Sequence, residues 1–235
     1  PELTAPRTQY VLAAGEVNHV GEAIAMVVAE DRYAAEDVLD RIHVTYEFLD
    51  PVVTPEVADR ADHAVHDDIP DNCAAHVVQA IGDAPGRIAA APNRLTFRLD
   101  VERSASTPLE GRAVHARYDP DDDSLRVHSS TQTPTSVRAA IATLLDLPFH
   151  KVEVLAPDVG GGFGVKIMHP WPEEVLVPWA ARLFGHAVKF TEDRHEHFVS
   201  ANHERAQVHH VDVGFDDDGR ILGLDVRFLH DHGAY

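Results

Sequence analysis

Apolar positions along the chain come in short blocks whose spacing changes from one block to the next. Ala23 to Ala29 (AIAMVVA) is an apolar run of strand length, and Asp31 then offers an N-cap for a helix over Arg32 to Leu39. In Ile42 to Phe48 the apolar residues fall at every second position, as in a half-buried strand, and Asp50-Pro51 stops it. Strand, helix, strand makes a small α+β unit. From roughly Pro55 to Pro92 no period is sustained, and scattered His, Asp, Ala and Pro read as a long connector.

Beyond it Leu95, Phe97, Leu99 and Val101 alternate with polar residues, as do Val114, Ala116 and Tyr118 and then Leu125 and Val127. The acidic turn Asp119 to Asp123 separates the last two, so these three strands are expected to form one antiparallel group. Thr133-Pro134 supplies an N-cap and a first-turn proline for a helix with Val137, Ile141, Leu144 and Leu145 on one face, which should cover the sheet. Lys151 to Leu155 reads as a strand, Glu173 to Leu183 as a helix and Val188 to Phe190 as a short strand. Val208 to Phe215, the turn Asp216 to Gly219 and Ile221 to Leu229 make a hairpin. The fold class is α+β.

Composition narrows the function classes. The 235 residues carry 20 basic and 39 acidic side chains, a formal net charge of −19, without a concentrated basic patch, which argues against nucleic acid as a partner. No apolar run approaches a membrane span. A single cysteine, Cys73, cannot form an internal disulfide; with no charged-then-apolar leader, this points to the cytoplasm. The chain opens on Pro1 and closes on Gly233-Ala234-Tyr235 inside an apparent strand-to-loop passage, so it is expected to be a piece of something longer.

Four glycines in five positions, Gly160, Gly161, Gly162 and Gly164 around Phe163, allow backbone N–H groups close to a ligand. Val165 separates Gly164 from Lys166, which excludes a Walker A loop, and residue 165 is not the third glycine of a dinucleotide fingerprint. A cofactor loop and a tight structural turn both remain open. Gln132, in Ser129-Ser130-Thr131-Gln132, sits where a strand feeds a helix; it is either an amide donor at a site or part of a polar turn. The pairs His195/His197 and His230/His232 would each face one side of a strand, as zinc ligands do in some hydrolases, with surface histidines the alternative. Cys73 lacks a Cys-x-x-Cys partner. Glu173-Glu174 and Glu192-Asp193-Arg194 read as solvated charges.

Taken in order, Ser129 to Gln132, Val152 to Lys166 (VEVLAPDVGGGFGVK), Pro172-Glu173-Glu174, Val188 to Arg194 with Glu196, and Asp231 to Tyr235 resemble the molybdenum-binding large subunit of the xanthine oxidase family. Upstream, Val20-Gly21-Glu22 with Ala23 to Ala29, Ala34-Ala35 and Val44 to Glu47 resemble the hammerhead α/β domain of that family. Glu102-Arg103-Ser104, Pro108-Leu109-Glu110, Arg112 and Pro172 to Glu174 are most similar to the aerobic carbon monoxide dehydrogenase branch.

The resemblance implies a hammerhead domain over residues 1–55, truncated at its start, a connector over 56–92, and the first part of a molybdenum-cofactor domain over 93–235. It implies that Gln132 donates to an oxo ligand of molybdenum and that Gly161, Gly162, Phe163 and Gly164 lie against the metal centre and a molybdenum–pterin dinucleotide, in its cytosine form. The metal is then held by the pterin dithiolene, and no protein metal ligand is expected. It also implies oxidation of a small substrate with oxygen from water. Electrons would pass to an iron–sulfur small subunit and an FAD medium subunit, in a dimer of heterotrimers; this chain has no Cys set for clusters of its own. Ile167 stands where purine-oxidising members have Glu, which speaks against a purine substrate over CO, an aldehyde or an N-heterocycle. The catalytic base is expected beyond Tyr235, and this piece alone is expected to be inactive. A non-catalytic assembly module with the same fold and a zinc hydrolase built on the His pairs are the rival readings.

Overall fold

A computed structural model describes residues 8–60, 62–167 and 170–235. Its helices and strands intermix along the chain, as the α+β reading expects, and its contacts divide into two compact units. The first comprises residues 9–47 and 105–202; the second holds 48–104 and 203–235.

The first unit is built on a four-stranded sheet in the order β4-β3-β2-β5, with β2 Ala113–Asp119, β3 Ser124–Ser129, β4 Val152–Leu155 and β5 Val188–Thr191. The alternation in β2 and β3 sets the register: Ala116 faces Val127 and Tyr118 faces Leu125, antiparallel, so the buried residues share one face. Strand β4 runs parallel to β3, a pairing that needs a crossover, and helix α4 (Pro134–Leu144) lies in it. Val137, Ile141 and Ala142 of α4 and Val177 and Ala181 of α5 (Pro172–Phe184) close the core over Val114, Ala116, Leu125, Val127 and Val152. Two details of α4 differ from expectation. Thr133 caps through its carbonyl, which accepts the Ser136 and Val137 N–H groups, with no bond from its hydroxyl. Leu144, at the last turn, is 61% exposed, while Ile141 and Leu145 face the core.

Helix α1 occupies Arg32–Leu39, and Asp31 Oδ1 accepts the Ala34 N–H at 2.9 Å, the cap its sequence announces. Among the described residues no strand is assigned to the flanking segments. Beyond a bond from Ala13 N–H to the Ala23 carbonyl, no ladder engages residues 23–29 or 42–48 among the described residues. Alternation gives a chain a face to bury without naming what lies beside it, and Val44 stays 44% exposed.

The second unit contains α2 (Pro55–Ala58), α3 (Ala84–Ala90) and a three-stranded sheet in the order β1-β6-β7, with β1 Asn93–Ala105, β6 His203–Phe215 and β7 Ile221–His230. Strand β1 therefore does not join β2 and β3; its mates lie a hundred residues downstream. Arg94 fixes that pairing with two bonds to Asp212, at 2.8 and 2.5 Å. Helix α3, inside the stretch read as irregular, packs on the β6–β7 hairpin where Gly214 stands opposite Gly223. A Cβ on Gly214 would lie 2.9 Å from Ile88 Cα, and one on Gly223 2.8 Å from the Ala84 carbonyl oxygen, so the paired glycines seat the helix backbone and bury Ile88.

Candidate functional site

Every motif of the candidate site lies in the first unit. Strand β3 ends at Ser129, and the chain passes through Thr131 and Gln132 into α4, while the glycine run follows β4. The two meet: the Gln132 N–H donates to the Lys166 carbonyl at 3.0 Å, and the Gly164 N–H donates to Gln132 Oε1 at 3.2 Å. A backbone N–H needs an acceptor, so this second bond fixes which end of the amide is oxygen. Both Nε2 hydrogens are left without a protein partner among the described residues, on an exposed side chain.

The glycine loop is held in a conformation few residues tolerate. Gly161 and Gly164 have φ of +102° and +94°, and Phe163 between them has φ +51° with its side chain 72% exposed. Gly162 carries no Cβ because the Gln132 amide occupies that place. The N–H groups of Gly161, Gly162 and Phe163 have no hydrogen-bond partner among the described residues, whereas those of Gly160, Gly164 and Val165 do. Three consecutive free donors beside a free amide NH₂ suit an acceptor-rich ligand.

Arg112 gathers a buried charge cluster around it, in which Glu173, Glu174 and Glu192 are the carboxylates expected to be solvated. Arg112, just before β2, places Nε 2.8 Å from Glu173 Oε1 and Nη2 2.7 Å from Glu192 Oε1, in ion-pair range but off the line of a hydrogen bond. Its guanidinium lies 3.6 Å over the Trp171 ring. Glu192 Oε2 accepts the Arg112 N–H at 2.8 Å and meets His197 Nδ1 at 3.0 Å. Glu174 accepts from the Ser129 hydroxyl at 2.6 Å and from the Trp171 N–H at 2.9 Å. Glu174 and Glu192 are thus core residues, contrary to the solvated reading. Burial pushes the Glu173 carboxyl up to about 7 against the pull of Arg112, and raises Glu174 against its Ser129 and Trp171 bonds. The legible signal was a helix start: Pro172 at the first position with Glu174 two residues on predicts a carboxylate turned back onto the backbone of residue 171.

The histidine pairs come out differently from their strand reading. His195 and His197 lie on helix α6 (Arg194–Ser200), where two residues turn the side chain to the far face, so His195 is exposed and His197 buried. His230 and His232 have ring centroids 4.5 Å apart, but no group of three His, Cys, Asp or Glu side chains able to hold a metal ion occurs among the described residues. Cys73 is a half-buried free thiol in the other unit. Ile167 is 44% exposed at the end of the glycine loop.

A loop of bare backbone donors joined to a side-chain amide on an α+β scaffold is suited to hold an acceptor-rich ligand. Residues 65–235 match the family model of the molybdopterin cofactor-binding domain, and residues 2–50 match the hammerhead domain of aldehyde oxidase and xanthine dehydrogenase. The chain belongs to the molybdopterin cofactor-binding family of xanthine oxidase-type large subunits. It is 36% identical to the 6-hydroxypseudooxynicotine dehydrogenase complex subunit gamma of Paenarthrobacter nicotinovorans over 96% of this chain and 28% of that protein. It is 30% identical to the carbon monoxide dehydrogenase large chain of Hydrogenophaga pseudoflava, over 96% of this chain and 30% of the other. Among solved structures, quinoline 2-oxidoreductase from Pseudomonas putida 86 superposes with a TM-score of 0.88 at 35% identity, over 93% of this chain and 28% of that one. The chain spans roughly three tenths of the length of these relatives.

Proposed function

We propose that this chain is the part of a molybdenum hydroxylase large subunit that holds the pterin cofactor on one side. The observation carrying the reading is the pinned amide: Gly164 binds Gln132 Oε1, so Nε2 is left to donate outward, next to the free N–H groups of Gly161, Gly162 and Phe163. These donors fit the oxygen-rich, anionic perimeter of a molybdenum–pterin dinucleotide, and the left-handed turns at 161 to 164 clear side chains from its approach. When bound, that cofactor supplies the two-electron oxidation of substrate with oxygen taken from water. This chain's part is to orient: Gln132 contributes a preorganised donor, the loop contributes backbone dipoles, and Phe163 presents an exposed ring that excludes water from that side.

The remaining assignments rest on the same reading. The cofactor is the cytosine dinucleotide, and electrons leave through an iron–sulfur small subunit and an FAD medium subunit in a cytoplasmic dimer of heterotrimers. Residues 1–55 form a hammerhead domain and 93–235 the first part of the molybdenum domain, joined by 56–92. The substrate is a small N-heterocycle: the names of relatives point to nicotine derivatives and quinoline, and Ile167 offers an apolar side chain where a purine would want a carboxylate.

The test is to purify the protein with its native flanking sequence and the chains that accompany it, and to measure bound metal and the nucleotide released on denaturation. Stoichiometric molybdenum with CMP supports the assignment. A preparation with zinc, or with no molybdenum although partner chains are present, overturns it.

A further inference from the structure

The loop's shape depends on a residue outside it. Glu110 lies in the segment before β2, and its Oε2 accepts the Gly160 N–H at 2.8 Å and the Lys166 ammonium at 2.8 Å. Its own N–H donates to the Gly160 carbonyl at 3.3 Å, and Gly160 has no Cβ where the Glu110 Cβ packs, 2.6 Å from the position one would take. One carboxylate therefore grips residue 160, where the glycine run begins, and residue 166, just past its end. Lys166 is a further tie: its side chain is 1% exposed, and its carbonyl accepts from the Gln132 N–H at 3.0 Å and the Thr131 hydroxyl at 3.3 Å.

A buried ammonium without its counterion is costly, so Lys166 cannot stay in place unless Glu110 is charged and present. Holding both ends of a short loop at a fixed span leaves its middle few conformations. That restriction limits the conformations open to the Gly161, Gly162 and Phe163 donors, which no acceptor holds among the described residues. The Glu110 carboxyl also lies below the usual carboxylate range: partial burial would raise it, and the Lys166 and Gly160 bonds outweigh that.

We infer that Glu110 is a positioning residue, which with Lys166 clamps the two ends of the glycine loop and thereby fixes the donor array and the Gln132 amide. The inference concerns the same site as the proposed cofactor role and rests on that reading only for what the array binds.

The experiment is site-resolved hydrogen exchange on the protein with its native flanking sequence, prepared without cofactor, comparing the parent with Glu110→Ala, Glu110→Gln and Lys166→Met. Amides of β2 and β3 serve as the internal reference for overall stability. Losing a charged hydrogen bond should speed exchange at Gly160 and Gly164 by roughly tenfold or more relative to those strands in Glu110→Ala. Glu110→Gln keeps an acceptor for Gly160 but not the charge, so it should lie between, and Lys166→Met combined with Glu110→Ala should add little to Glu110→Ala alone. Equal acceleration of loop and strands in every variant would mean that Glu110 only neutralises a buried lysine, and would overturn the inference. So would loop exchange unchanged in Glu110→Gln and Lys166→Met if Glu110→Ala does not fold. Because exchange is read without cofactor, a molybdenum-free native protein would defeat the functional proposal while leaving this result standing.

Discussion

Gln132 joins two duties in one side chain, and they can be separated. Its oxygen holds the Gly164 N–H, a bond that a carboxylate would keep, while its Nε2 donors would be lost in Gln132→Glu and replaced by an acceptor. In the enzyme carrying this chain, Gln132→Glu should reduce turnover by ~10²–10³, the cost of one preorganised donor worth about 2.7–4 kcal/mol in the transition state. The melting temperature should stay within a few degrees, because the side chain is exposed and the Gly164 bond survives. Turnover and melting measured on one preparation check this, and near-parental turnover with a lowered melting temperature would assign Gln132 to the turn alone. Glu173 gives a second residue-scale expectation. Its carboxyl is raised from 4.5 to about 7 in the fold, so the folded state binds a proton more tightly than the unfolded chain does. Its contribution is then fully present below about pH 4.5 and is lost as pH rises through about 7, with an upper limit of about 3 kcal/mol. Thermal unfolding across that range should show the parent losing stability with pH relative to Glu173→Gln; parallel curves would place the group at its ordinary value.

Among the elements, the hairpin of β6 and β7 is the one whose packing turns on two atoms that are absent. Gly223→Ala puts a methyl 2.8 Å from the Ala84 carbonyl, and since this glycine does not need a left-handed φ, the penalty is steric alone. It should force α3 away and cost about 1–3 kcal/mol, read as a lower denaturation midpoint with an unchanged slope. Helix α3 also shows where sequence reading stops. Elements that carry their own instructions were legible: α1 with the Asp31 cap, α4 behind Pro134, and the hairpin around Asp216 to Gly219. What failed depended on partners. The alternation in residues 42–48 and 95–101 shows that a face can be buried and is silent on which strand lies beside it. A seven-residue helix such as α3 is too short for periodicity to show; Asp83, which accepts the Gly86 N–H, and Pro85 mark its start, and packing on Gly214 and Gly223 supports the rest. At the site, Gln132 and the glycine loop were visible as chemistry out of place. The buried charges were not, because Glu174 and Glu192 read as surface residues until Ser129, Trp171 and Arg112 are brought against them.

For the molecule as a whole, the long link between α2 and α3 is neither uniformly open nor uniformly packed. Residues 75–83 are exposed without a break, with Ile81 96% exposed, whereas Asn72 is tied to Val65, Ala58 and His63. Limited proteolysis should therefore cut first within 75–83 and spare residues 137–155, where α4 and β4 belong to the core. A first cut inside α4 would contradict that ranking.

The large apolar side chains left open to solvent, among them Val20, Ile81, Leu109 and Phe163 at 72–97% exposure, have a consequence for how the chain behaves in a tube. Such patches are surfaces on which one molecule can settle against the next. What holds copies apart at neutral pH is mutual repulsion from a net charge of −19. Titrating toward the sequence isoelectric point near 5.2 removes that repulsion, while the apolar side chains themselves do not change. Light scattering should rise steeply there, and at neutral pH added salt should bring on the same clouding by screening what the acid would have neutralised.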